Sequence, residues 1–220
     1  MITGLKVNKI VNLGNNVKTM IKNESCTVLM MNDATGEGIM TVYQVMPGVM
    51  ICFSDMHMEK CDSEFELQKD KKVLCIDHCR EGRIEMEVQP GVFSIMQENE
   101  LRLDNRENHK GTTYYPLRHY HGVSVFMDVE ETQKALDTMF HGFSVDIAQL
   151  RMRYCTQDKP YVIRNDEGLS RIISSFYRRN MERPEISASK EYYQIKVVEM
   201  LLYLETMTVE NSREIRPYYY

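Results

Sequence analysis

The sequence predicts a mainly β chain with an α part after it: a barrel or sandwich of short strands, then helices. Three observations predict it. Between Cys26 and about Phe126 brief apolar or alternating runs are separated by turn residues, the period changes at Asp128, and beyond it apolar residues recur at helical spacing.

Taken in order, the strand-like runs are Thr27–Met31, Gly38–Val45, Val49–Phe53, Val73–His78, Arg83–Val88, Val92–Met96 and Gly122–Met127. Asn32-Asp33, Gly36-Glu37-Gly38, Pro47-Gly48, Glu81-Gly82 and Pro90-Gly91 supply the positive-φ or fixed-φ positions that turns between them use. Ile76 to Glu87 read as two strands turning around Glu81-Gly82, because Gly82 tolerates the positive φ of a tight corner.

Helices begin at Asp128. Asp128-Val129-Glu130-Glu131 fits a capping box, with Asp128 accepting from early amides and Glu131 reaching back. Leu169, Ile172, Ile173 and Phe176 fall on one face of a helix from about Glu167 to Arg179. Asp166 and Glu167 suit its positive N-terminal end, and Arg178 and Arg179 its negative C-terminal end. The last helix, about Ser189 to Thr208, carries two apolar stripes on opposite faces. Tyr193, Val197, Met200, Leu204 and Met207 step like a heptad seam, and Ile195, Val198 and Leu202 lie half a turn away. Two stripes ask for two partners, one inside the chain and one in a second subunit, against the plainer outcome of burial on all sides; the heptad-like stripe is taken as the dimer seam.

Among 220 residues the formal net charge is −5, with a pI near 5.7, which argues against this segment gripping a phosphate backbone. The six cysteines match no compact disulfide framework, so reduced thiols are expected. Lys6, Lys9 and Lys18 are scattered among polar residues without the apolar stretch of a secretory signal, and no apolar run approaches the roughly 20 residues of a membrane span. A cytoplasmic protein is therefore expected, with no membrane partner.

The run Ile76-Asp77-His78-Cys79-Arg80-Glu81-Gly82-Arg83-Ile84-Glu85 resembles the signature of the sensing domain of AraC/XylS-type bacterial transcription regulators. Counterparts follow in the same order at Met46-Pro47-Gly48-Val49, Asp55-Met56-His57-Met58 and Pro116 to Asp128, so the resemblance covers most of the chain. It departs at Asn99-Glu100-Leu101, where the family usually has Gly-Asp-Leu. The resemblance implies a cupin-like β-barrel, or jelly roll, over residues 1–127 and a helical dimerisation subdomain over 128–210. It implies a linker beginning at 211–220, at Arg216-Pro217-Tyr218, towards a helix-turn-helix DNA-binding domain not present in this chain. The implied function is effector sensing in a homodimer, without catalysis.

The candidate effector-binding residues are His78, Arg80, Glu85, His119 and His121, polar side chains on otherwise apolar strands. Arg80 suits a carboxylate or phosphate; the plain alternative is a surface pair with Glu85. Tyr193, Val197, Met200 and Leu204 are the candidate dimer interface. His119 and His121 share a strand face and, with His78 or His57, supply imidazoles for a metal-dependent cupin enzyme. The Glu and second His motif of such an enzyme are missing from that order, so neither metal nor other cofactor is expected. A stand-alone sugar-binding module is the other rival. Cys75 and Cys79 are too widely spaced for a redox pair, and most of the seventeen methionines are assigned to the core. Which strand faces point inward decides the pocket, and a one-residue shift exchanges them.

Overall fold

The computed structural model describes residues 11–12, 17–22, 26–63, 66–67, 70–89, 91–107, 111–155, 160–164, 166–182 and 190–208. Its strands are β1 (Val11–Asn12), β2 (Val17–Lys22), β3 (Thr27–Asp33), β4 (Gly36–Met46), β5 (Val49–His57), β6 (Lys60–Ser63), β7 (Glu66–Leu67), β8 (Val73–Gln89), β9 (Val92–Gln97), β10 (Glu100–Asp104), β11 (Gly111–Tyr114), β12 (Tyr120–Asp128) and β13 (Tyr161–Arg164). Its helices are α1 (Val129–Met139), α2 (Ile147–Tyr154), α3 (Glu167–Glu182) and α4 (Lys190–Thr206). The expected linker at 211–220 lies outside the described residues.

A curled antiparallel sheet runs in the order β13-β10-β8-β12-β5-β4-β3-β2. A smaller group, β9, β11 and β6, is attached through the second half of β8, and β1 pairs with β7 apart from both. The result is a half-barrel whose concave side holds a methionine-rich cluster that includes Met31, Met56, Met86 and Met96.

The chain does not reverse at Glu81-Gly82, contrary to the sequence expectation of two strands around a turn. Val73–Gln89 is a single strand of 17 residues. Residues before the glycine pair with β12 and β10, and residues after it pair with β9 and β11. Gly82 has φ of 88°, and the ladder with β12 skips Arg80 between His121↔Glu81 and Gly122↔Cys79. A bulge beside a positive-φ glycine bends the strand, so that one strand can serve both groups. The reversal comes later: β9 returns alongside β8, and Asn99 turns the chain into β10. Asn99 occupies φ of 62°, a conformation asparagine tolerates better than most residues, and its amide donates to the Cys79 carbonyl at 2.8 Å.

Asp128 caps α1 as expected, accepting from the Glu131 amide at 2.9 Å. The reciprocal half of the capping box is not made: the Asp128 amide donates to the Gly48 carbonyl, and Glu131 faces Lys71 at 3.6 Å. In α3, Leu169, Ile172, Ile173 and Phe176 are buried, and Asp166 accepts from the Leu169 amide at 2.7 Å. The side chains of Arg178 and Arg179 lie outside the described residues.

Among the described residues the helices share one core with the sheet. One cluster joins Ile51, Phe53, Leu74, Ile76, Leu101, Leu103, Val123 and Val125 on the convex face of the sheet to Leu136, Leu150, Phe176 and the inner side of α4. That inner side is Tyr193, Val197, Met200 and Leu204, none more than 1 % exposed. These four residues cannot form the expected dimer seam, because they already contact the sheet and α3: Tyr193 packs on Tyr43, Phe53 and Phe176. The opposite stripe is the exposed one, with Ile195 63 % and Leu202 42 % accessible. The two faces are exchanged relative to the sequence assignment.

Candidate functional site: a cavity inside the half-barrel

Alternation along β8 sends Cys75, Asp77 and Cys79 to the concave side and Leu74, Ile76 and His78 to the helices. The concave side encloses a cavity of about 190 Å³. Its walls are apolar and rich in sulfur, with Leu29, Met31, Met40, Met50, Met56 and Phe126 among them, and the thiols of Cys52, Cys61 and Cys75 also line it. Burial pushes the Cys52 thiol up to about 11 and Cys75 well above its ordinary value, so both are neutral, inert thiols.

One end is polar. Arg102, on β10 opposite Asp77 in the ladder, donates to Asp77 Oδ2 from Nε at 3.1 Å and from Nη2 at 2.7 Å. Arg106 donates from Nη2 to both Asp77 oxygens at 2.6 and 2.8 Å, and from Nη1 to Asp104 at 3.2 Å. The Ser124 hydroxyl adds a bond to Asp77 Oδ1 at 2.7 Å. Arg106 takes φ of 58°, and its amide donates to Asp104 Oδ1 at 3.0 Å, which folds the side chain back over the cavity. Burial alone would raise the Asp77 carboxyl, but Arg106 and Arg102, with the Ser124 bond, outweigh it and hold the group well below the usual carboxylate range. Two guanidinium groups thus face two carboxylates, and formal charge at this end balances. Such an end can offer directed N–H and O–H donors to a ligand oxygen without an excess charge.

None of the five residues expected to hold an effector lines this cavity. His78, Arg80 and His121 lie on the convex side, gathered around Tyr177 of α3. His78 Nδ1 is 2.9 Å from the Tyr177 hydroxyl, the Arg80 guanidinium stands 5.0 Å over the Tyr177 ring, and His121 meets its edge. Burial, reinforced by Arg80, lowers His78 to about 4, so its imidazole is neutral. His119 lies at the rim, 3.4 Å from Glu81. Glu85 pairs with Arg83 at 2.5 Å, and in place of the Arg80–Glu85 pair named as the plain alternative, Arg80 pairs with Glu81 at 3.4 Å. Glu85 lines a separate surface hollow with Phe93, Tyr114 and Arg118. The physical reason is parity: Cys75 to Cys79 are buried on both faces, His78 and Arg80 belong to the face that α3 covers, and Glu85 lies beyond the bend at Gly82, in the part of β8 that pairs with β9 and β11.

No family model matches the chain, and no curated protein matches it by sequence. Among solved structures it is similar to ToxT from Vibrio cholerae, at 10 % identity over 72 % of this chain and 56 % of that one, with a TM-score of 0.37. The EutQ protein of Clostridium difficile is similar at 12 % identity over 52 % of this chain and 72 % of that one, with a TM-score of 0.31. A Cupin 2 conserved barrel domain protein from Salinispora arenicola is similar at 16 % identity over 63 % of this chain and 97 % of that one, with a TM-score of 0.28. The chain spans little more than half of ToxT. Similarity of this extent carries no functional residue across, so the site stands on this chain's own geometry. Among the described residues no helix is long and apolar enough to cross a membrane.

Proposed function

We propose that this chain is the effector-sensing domain of an AraC-type transcription regulator, with a cupin-like barrel that binds a small, mainly apolar molecule carrying one polar group. The observation that supports it is the cavity's division into a thioether-rich wall and a charge-balanced end of Asp77, Asp104, Arg102 and Arg106. Methionine walls adapt to irregular apolar shapes, while a few fixed donors orient the ligand. The regulator role draws its support from the signature at Ile76–Glu85, and DNA contact then belongs to a separate basic module, as the acidity of this segment suggests. The domain works in the cytoplasm as a homodimer without turnover, using the exposed stripe of Ile195 and Leu202 as its contact. An effector acts by binding one arrangement of sheet, helices and module better than another; a tenfold preference is worth about 1.4 kcal/mol.

A thermal-shift screen of small amphiphiles, followed by calorimetric titration of the hits, tests the site. Leu29→Trp, which fills the apolar wall, should abolish binding, whereas Arg80→Ala and His121→Ala on the convex side should leave affinity within about twofold. Loss of binding in the convex-side variants with retention in Leu29→Trp would move the effector out of the barrel.

A further inference from the structure

The geometry points to a divalent transition-metal site, of the zinc(II), nickel(II) or cobalt(II) class, formed by Asp55, His57 and His119 on the convex rim of the sheet. Asp55 and His57 are two apart on β5 and so share a face. The pairing of Tyr120 with Met56 brings His119, the residue before β12, beside His57, and their rings are 5.2 Å apart. One donor atom from each of the three side chains falls within 4.8 Å of the others. His57 Nε2 already touches Asp55 Oδ1 at 3.0 Å.

Three features favour a metal over an ordinary surface histidine–carboxylate contact. Asp55 and His57 lie on β5 and His119 directly precedes β12, one residue from the Tyr120–Met56 end of their shared ladder, so the sheet sets their backbone positions before any ion arrives. The set is two imidazoles and one carboxylate, which suits borderline cations and not the all-oxygen preference of calcium or magnesium. Tetrahedral zinc with bonds of about 2.0–2.1 Å needs ligand atoms roughly 3.3 Å apart, a closure that rotation of exposed side chains can supply. Glu81, whose Oε2 is 3.4 Å from His119 Nε2, stands next to the site and can orient His119 or take a further position. An ion here would tie β12 to β5 where β8 bends, away from the barrel cavity. The site is independent of the effector proposal: neither its residues nor its face is shared with the cavity.

Cobalt(II) titration of the untagged full chain, followed by visible absorption, is the test. We expect a single equivalent to bind with ligand-field bands and no thiolate-to-cobalt charge-transfer band, and zinc(II) to displace it. His57→Ala and His119→Ala should each weaken binding by about tenfold or more, with Asp55→Asn following the same direction. Without any variant, bound cobalt should broaden the His57 and His119 imidazole resonances in NMR spectra while leaving those of His141 sharp. No stoichiometric binding, a thiolate charge-transfer band, or folded His57→Ala and His119→Ala proteins that bind as the parent does would each overturn the site.

Discussion

Arg102 donates twice to one oxygen of Asp77, and both residues are 1 % exposed. A buried ion pair contributes little over a well-packed apolar pair, but removing one partner strands the other. Arg106 and Ser124 also converge on this carboxylate, so Asp77 is the keystone of the polar end and of the alignment of β8 with β10 and β12.

Asp77→Asn should therefore destabilise the fold by about 3–5 kcal/mol in urea unfolding, since the buried Arg102 loses its counter-charge and Arg106 keeps only Asp104. Its folded-state pKa is depressed, so its contribution is full above the unfolded value of about 3.9 and is lost as pH falls below it. The parent should draw progressively towards the variant as pH falls below about 3.9 and meet it only at the depressed folded value. A cost under about 1 kcal/mol at neutral pH would show that solvent or other groups compensate the arginines.

His78 adds a loss of stability to acid in the same direction but at a higher pH. Its imidazole is held neutral by burial and by Arg80, with a folded pKa near 4, whereas in the unfolded chain it titrates near 6.5. Between those values only the unfolded chain takes the proton. Stability should fall as pH drops from about 6.5 to about 4, by on the order of 3 kcal/mol at most. His78→Gln, which can still hydrogen-bond Tyr177, should flatten that part of the profile. An unchanged slope in the variant would assign the acid sensitivity elsewhere.

Gly82 and Gly91 both have positive φ, of 88° and 72°, yet their surroundings differ. A β-carbon on Gly82 would lie 2.1 Å from the His119 carbonyl oxygen, while one on Gly91 would meet nothing within 4 Å. Gly91→Ala should cost about 1 kcal/mol, the conformational penalty alone. Gly82→Ala should cost at least about 3 kcal/mol, because the clash is with backbone at the point where β8 changes sheets. Comparable thermal midpoints for the two variants would refute the contact between the bend and the start of β12.

The broad division into strands and helices was legible because it depends on period, which short turn-bounded runs and the Leu169–Phe176 face display directly. The site was not, because it depends on parity. In Leu74-Cys75-Ile76-Asp77-His78 both faces are buried, one by helices and one by the cavity, so polarity does not mark the inward side. Glu100-Leu101-Arg102-Leu103-Asp104 alternates strictly, a strand signal that was available. Ordinary reasoning would still turn its charged face to water, whereas the fold turns Arg102 inward to meet Asp77. Sequence spacing likewise separated the two stripes of the last helix without saying which had a partner inside the chain.

That last distinction can be measured. Met200→Glu and Leu204→Glu place a carboxylate in the buried cluster that α4 shares with Phe53, Phe176 and the sheet, and should destabilise by several kcal/mol or prevent folding. Ile195→Glu and Leu202→Glu meet solvent and should change stability by no more than about 0.5 kcal/mol. A homodimer seated on that outer stripe would, however, bring two like charges into a desolvated contact, so both outer variants should sediment as folded monomers at concentrations where the parent is dimeric. Outer variants that stay dimeric would exclude this face as the contact. Folded, undiminished Met200→Glu and Leu204→Glu would instead contradict the burial of the inner stripe and restore it as a surface.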